Sequence, residues 1–321
     1  MSGESLFSFF TDPILRGPTI GCMLMSLAAG LVGVILFLRK QSLIGEVLSH
    51  AAYPGVMLGV LVAGLFSITE NEESLLSILI LAGAFLTGSL GLWAIQLLQK
   101  KMRVSNDAAL CFVLSTFFGV GVTLASDVQF SFTPLYRQVM TYLYGQAATM
   151  TDVHIVIYGT LACVVVLIIL WFYKELQVMT FDAEYAKSLG IPVKSLDLIV
   201  FVLVTLSVVI GIRSVGVVLM SAMLIAPAVA ARQFTHHLSV MLALAAFFGM
   251  TSGFFGNYFS VRLTESLALA YPATRMILPT GPMIVLVAGA ISAAALLCAP
   301  ERGWLVRLWR ASVLASEERG R

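Results

Sequence analysis

Charged side chains are scarce in this chain. Only 11% of its 321 residues are Asp, Glu, Lys or Arg, against about 25% in an ordinary soluble domain. So little charge cannot coat a water-soluble globule. The formal net charge is +2 and no basic tract is long enough to track a phosphate backbone, so nucleic acid is not an expected partner. Cysteine is scarce as well. Cys22, Cys111, Cys163 and Cys298 stand singly inside apolar runs, with neither metal-ligand nor disulfide-framework spacing, and read as small packed hydrophobes. There is no GxxxxGK[ST] loop for a nucleotide phosphate and no HExxH pair for a catalytic zinc. The chain therefore reads as non-catalytic, with no cofactor of its own. The N-terminus lacks the basic flank and small-residue cleavage site of a signal peptide, so its first hydrophobic run is expected to stay as a helix.

What the chain has is apolar length. Hydrophobic residues make up 59% of it and the mean hydropathy is +0.97. Nine runs are long enough to cross a bilayer or nearly so: 18–38, 47–66, 75–98, 108–125, 153–172, 196–212, 215–231, 240–258 and 281–298. They are continuous rather than alternating, which argues against a barrel. The expected fold is all-α: a polytopic transmembrane helical bundle of eight to nine spans, forming a single domain over 1–321. Residues 1–16, with Phe7, Phe9 and Phe10, read as a short interfacial segment, and 300–321 as a basic, aromatic tail at the membrane surface. The mixed stretch 126–150 reads as an outer loop, part of which dips into the protein. Arg213-Ser214 reads as a tight break between two spans, and 259–280 as a mixed connection.

Lysine and arginine set the orientation. Segments 39–40, 100–103, 174–194, 232–237 and the tail hold most of them, and the acidic stretch Glu70–Glu73 lies on the other side. The bias places the N-terminus outside and the C-terminus inside, with nine crossings.

Against this background a few residues stand out. Glu46 and His50 are four apart at the start of the second span, so a helix puts them on one face. Charge in hydrocarbon is costly, and such groups face a cavity or a partner. A carboxylate and an imidazole can both donate lone pairs to Zn²⁺, Mn²⁺ or Fe²⁺. They can equally form a local hydrogen bond that only fixes the helix start. Pro54-Gly55 and Pro227 interrupt spans and read as hinges or as ordinary membrane-helix punctuation. The stretch 181–192 reads as a short amphipathic helix. Asp182 caps it, Glu184 and Lys187 lie on its polar side, and Gly190 and Pro192 stop it. It is either a surface loop or a docking element. His236-His237 reads as surface, His154 as a cap residue beside Asp152, and Arg213 as snorkelling outward or pairing with a carboxylate such as Glu265.

Three stretches carry a resemblance. Ser42–Gly55, with Gly45-Glu46-Val47-Leu48-Ser49-His50-Ala51-Ala52-Tyr53-Pro54-Gly55, is close to a GDALSHAxxPG pattern. Asp182–Gly190 looks like a cytoplasmic coupling segment, and Val215–Ala231 looks like a run ending in a Leu-Leu-Ile-x-Pro-type element. In this order they resemble the membrane permease subunit of ATP-binding-cassette importers for zinc, manganese and iron, over about residues 20–297. The resemblance implies a type II importer permease in a bacterial inner membrane that works by alternating access. Its implied partners are two cytosolic ATP-binding subunits, a second permease copy or sister chain, an extracytoplasmic metal-binding protein and the surrounding lipid. The implied pathway residues are Glu46, which stands where the family has Asp, and His50. The implied coupling contacts are Asp182, Glu184, Ala186 and Gly190 in the segment 173–194. The rival readings are a siderophore, haem or cobalamin permease, an ion-coupled secondary transporter, and a membrane scaffold.

Overall fold

The computed structural model describes residues 7–66, 73–133, 135–136, 145, 147–270, 278–299 and 303. The chain is helical wherever it crosses, because hydrocarbon offers no partner for backbone N–H and C=O groups and a helix satisfies them internally. In order the helices are α1 (Ser8–Thr11), α2 (Pro13–Leu38), α3 (Leu43–Leu65), α4 (Glu73–Lys100), α5 (Asn106–Ser131), α6 (Asp152–Trp171), α7 (Tyr173–Phe181), α8 (Ala183–Ser188), α9 (Val193–Val215), α10 (Val217–Phe234), α11 (Leu238–Ala270) and α12 (Thr280–Cys298). Among the described residues, nine of these are long and apolar enough to span a membrane: α2–α6 and α9–α12. The expected all-α bundle and its nine runs are present.

Local chemistry sets the helix ends. Asp12 accepts from the amide of Ile14 at 2.8 Å and Pro13 opens α2. Thr151 and His154 form a reciprocal cap on α6. Asp152 beside them is bound by Arg16 Nε at 2.8 Å, which ties the start of α6 to the start of α2.

Small residues let the spans approach closely. A Cβ on Gly55 would lie 2.0 Å from the carbonyl oxygen of Gly83, and one on Gly83 2.2 Å from that of Gly55. At Gly33 it would lie 1.7 Å from the oxygen of Leu224, and at Gly249 2.4 Å from that of Ser26. These contacts bring α3 onto α4, α2 onto α10 and α11 onto α2 at backbone distance. They are the kind of packing that drives association where lipid removes the hydrophobic difference between helix and solvent.

Several expectations are corrected. The break between α9 and α10 falls at Gly216, not Arg213-Ser214, because Gly216 takes φ 97°, a conformation closed to side-chain-bearing residues. Arg213 lies within α9 and donates to Ser77 Oγ at 3.2 Å, while Glu265 pairs with Arg262 at 3.4 Å. The stretch 259–270 is not a connection but the end of α11, whose 33 residues extend about 50 Å. Its polar groups are used sideways: Ser260 donates to the oxygen of Leu278 at 2.8 Å, and Thr264 accepts from the amide of Leu278. Phe9, expected at an interface, is fully buried, with Arg262 over its ring. Helix α5 continues to Ser131, past the expected start of the outer loop, while the burial of Ala147 and Met150 agrees with part of that loop dipping into the protein. The acidic positions 70–72, the aromatic positions 142 and 144, Pro134 and Arg137, and the tail apart from Gly303 lie outside the described residues.

The Gly55–Gly83 seam makes a direct test. Gly55→Val forces α3 and α4 apart and is expected to lower stability by about 1–3 kcal/mol. Gly289→Ala, where an added Cβ meets nothing, is expected to be neutral. Thermal melting of the purified chain in detergent distinguishes the two.

Candidate functional site

Helix α3 is covered on three sides. Gly55 and Gly59 press on α4, Tyr53 and Pro54 meet Gly121 of α5, and Gly45 meets the Leu224 side chain of α10. Leu43, Leu58, Val62 and Leu65 are exposed on the remainder, while Glu46 and His50 are half-buried on the stripe that continues into Tyr53 and Pro54. The carboxylate sits in the first turn, where the positive end of the helix dipole favours it. The imidazole stands edge-on to Phe118 of α5, with ring centroids 4.9 Å apart and planes at 82°. Tyr53 packs against the same ring at 5.9 Å. Phe118 thus fixes the side of the imidazole that faces α5. His50 Nδ1 is buried and makes no hydrogen bond among the described residues. The Glu–His hydrogen bond considered from sequence is not among the bonds of the described residues.

Pro54 adds to this. It has no amide hydrogen to give to the carbonyl four residues back, and that carbonyl belongs to His50. The helix nevertheless runs unbroken from Leu43 to Leu65, with Pro54 and Gly55 both buried inside it. Pro227 is buried in α10, against the position of Gly30. Next to it the oxygen of Ala226 accepts from Ser292 Oγ at 2.7 Å.

No group of three or more His, Cys, Asp and Glu side chains is placed to hold a metal ion among the described residues. Glu46 and His50 therefore supply two ligands at most from one chain, half of a tetrahedral set. His236 and His237 are exposed on the loop between α10 and α11 and belong to no such group among the described residues.

The segment 173–194 folds as two short helices rather than one. Asp182 separates them: its Oδ1 accepts from the amides of Glu184 at 3.0 Å and Tyr185 at 2.9 Å, capping α8. Lys187 Nζ donates to Glu184 Oε1 at 2.6 Å on the exposed side. At the other end Gly190 takes φ 77°, its amide bonds to the oxygen of Lys187 and the amide of Ile191 to that of Ala186. This is a Schellman closure, which favours glycine at that place. Ala186 is fully buried, so it packs inward and presents nothing to a partner. The residues from Phe181 to Gly190 other than Ala186 are exposed, and the large apolar ones among them are Phe181, Tyr185 and Leu189, each more than half exposed. Their spacing of four is visible in the sequence. Phe118 had no such signal, since it lies 68 positions from His50.

The fold defines a class first: this is a multi-pass helical membrane protein. Residues 11–299 match the model of the ABC 3 transport family, and the chain belongs to that family. It is 38% identical over 302 residues to a metal transport system membrane protein of Chlamydia pneumoniae, covering 94% of this chain and 66% of that one. It thus spans about two-thirds of that relative's length. It is 35% identical over 307 residues to the zinc transport system membrane protein TroC of Treponema pallidum, covering 96% of each. Among solved structures it resembles PsaBC from Streptococcus pneumoniae in complex with a Fab, with a TM-score of 0.74 and 25% identity, covering 94% of this chain and 97% of that one.

The Asp182 cap can be tested alone. Asp182→Ala removes two amide partners and is expected to cost about 1 kcal/mol locally. Hydrogen exchange should speed up over Ala183–Ser188 while α9 keeps its protection.

Proposed function

We propose that this chain is the membrane permease subunit of an ATP-driven importer for a divalent transition-metal cation, Mn²⁺, Zn²⁺ or Fe²⁺, and that Glu46 and His50 form its share of the passage. The observation that carries the reading is the pair itself. A carboxylate and an imidazole are half-buried four residues apart on a membrane helix, and the imidazole Nδ1 has no hydrogen-bond partner among the described residues. Facing lipid, they would be costly; facing a second copy, they are useful. A two-fold pairing brings the same surface of each copy together. It would offer a cation two carboxylates and two imidazoles, a complete tetrahedral set of nitrogen and oxygen ligands. A sister permease with equivalent residues would serve equally. The family membership and the relatives named for metal and zinc transport support the same assignment.

Transport would proceed by alternating access. An extracytoplasmic binding protein delivers the cation to the outer mouth. Two cytosolic ATPase subunits bind and hydrolyse ATP, and this chain contributes no catalytic group. The α7–α8 segment is their docking element: Phe181, Tyr185 and Leu189 offer an apolar row, and Asp182, Glu184 and Gly190 hold its shape. Pro54, Gly55 and Pro227 mark where α3 and α10 bend as the site opens to one side and then the other. Affinity alone would favour zinc over manganese and iron, so ion preference depends on geometry. Glu46, one methylene longer than the family's Asp, is the residue that adjusts it.

His50→Ala is expected to abolish metal uptake into vesicles containing the permease, its ATPase and the binding protein. The complex should still assemble, because the imidazole Nδ1 makes no hydrogen bond among the described residues. Unchanged uptake would remove His50 from the passage. Tyr185→Asp should instead weaken co-purification of the ATPase by about tenfold or more, the loss expected when a buried aromatic anchor is replaced by a charge.

A further inference from the structure

The inner ends of α2 and α9 are joined by an ion pair outside the sites described so far. Arg39 Nη2 lies 2.5 Å from Asp197 Oδ1, and the two side chains are 14% and 30% exposed. Arg39 Nη1 is buried and makes no hydrogen bond, so among the described residues Asp197 is the carboxylate that holds this guanidinium. We propose that the Arg39–Asp197 pair is the joint through which movement of the α7–α8 segment reaches Glu46 and His50. The proposal rests on the reading of that segment as the ATPase dock and of the pair on α3 as the passage.

The argument follows the chain on both sides of the joint. On the α9 side there is little slack. The amide of Ile191 bonds to Ala186, that of Val193 to Ile191, and those of Ser195 and Leu196 to Pro192. Ala186, Val193 and Leu196 are buried. A displacement of α8 is therefore passed to the first turns of α9, where Asp197 sits. On the α2 side Arg39 caps α2, and only Lys40, Gln41 and Ser42 separate it from the start of α3. That turn is tight: Gln41 N bonds to Leu36 O at 2.9 Å, Ile44 N to Gln41 O at 3.0 Å, and Lys40 is held at φ 56°. A lysine in the left-handed region is strained, and such strain persists only where the surroundings impose it. Glu46 follows in the first turn of α3.

Helix α9 also packs on α2, α3 and α4, largely through apolar side chains, with the Arg213–Ser77 hydrogen bond near its other end. Apolar contacts are non-directional and leave room for small shifts. A largely buried ion pair does not, because separating it leaves an uncompensated charge. The pair therefore obliges the end of α2 and the start of α9 to move together, while the contacts around it let the remaining spans rotate. Arg39 and Asp197 act through α3 and do not touch the cation, which makes them positioning residues.

The test uses the assembled importer in proteoliposomes, with Mn²⁺ and Zn²⁺ as probes, and reads cation moved per ATP hydrolysed. Arg39→Gln and Asp197→Asn are each expected to lower this ratio about tenfold, within the ordinary range of coupling between sites. ATP hydrolysis and assembly should persist. Arg39→Lys should keep most of the ratio, and the exchange Arg39→Asp with Asp197→Arg should recover it, as a direct interaction in a double-mutant cycle requires. A wild-type ratio in the single variants overturns the joint. So does a parallel fall of uptake, hydrolysis and melting temperature with the ratio unchanged, since that marks a merely structural pair. His50→Ala in the same vesicles separates the two readings: uptake surviving that change defeats the passage itself, whatever Arg39 does.

Discussion

Close backbone contact at small residues is the constraint on which this structure depends. In lipid an apolar helix gains nothing by leaving its surroundings for another apolar helix, so association rests on how near two backbones can come. The seams at Gly55 and Gly83, at Gly33 and Leu224, and at Gly249 and Ser26 meet that condition. They hold α3 against α4, and α2 against α10 and α11. With α5 also packed on α3 at Tyr53 and Pro54, this packing sets what surrounds Glu46 and His50.

Polar groups are distributed by the same physics. Those near the helix ends are consumed in caps and ties, as with Asp12, Thr151, Asp152 with Arg16, and Ser260 with Leu278. The polar connection at 173–194 keeps its charges outside and closes itself with Asp182 and Gly190. Among the described residues few buried side-chain atoms go without a hydrogen bond, and Nδ1 of His50, whose ring is held against Phe118, is one of them. In the proposed passage that ring would meet a cation that must also be released.

The sequence was a good guide to which segments cross, because apolar length is a local property. It was poorer at the ends. Helix α11 runs twelve residues past the expected stop since its last turns alternate apolar and polar faces, and the polar ones are met by the chain entering α12. The break before α10 moved to Gly216 because a charged Arg213 looked like a boundary, whereas the backbone turns only where a positive φ is tolerated. In the coupling segment the cap and the stop were legible from Asp182 and Gly190. The burial of Ala186 was not, because it depends on how α8 lies against its neighbours.

From the amino-acid sequence alone came the class of protein, the helical bundle, the spacing that puts Glu46 and His50 on one face, and the likeness to metal permeases. These follow from composition and helical periodicity, which need no knowledge of neighbours. Only the tertiary structure decided that Phe118 braces the imidazole, that Ala186 is buried, and that Arg39 meets Asp197. Each of these is a relation between residues distant along the chain or a matter of which side is covered. Such relations are set by close packing of helices, and no local pattern records them.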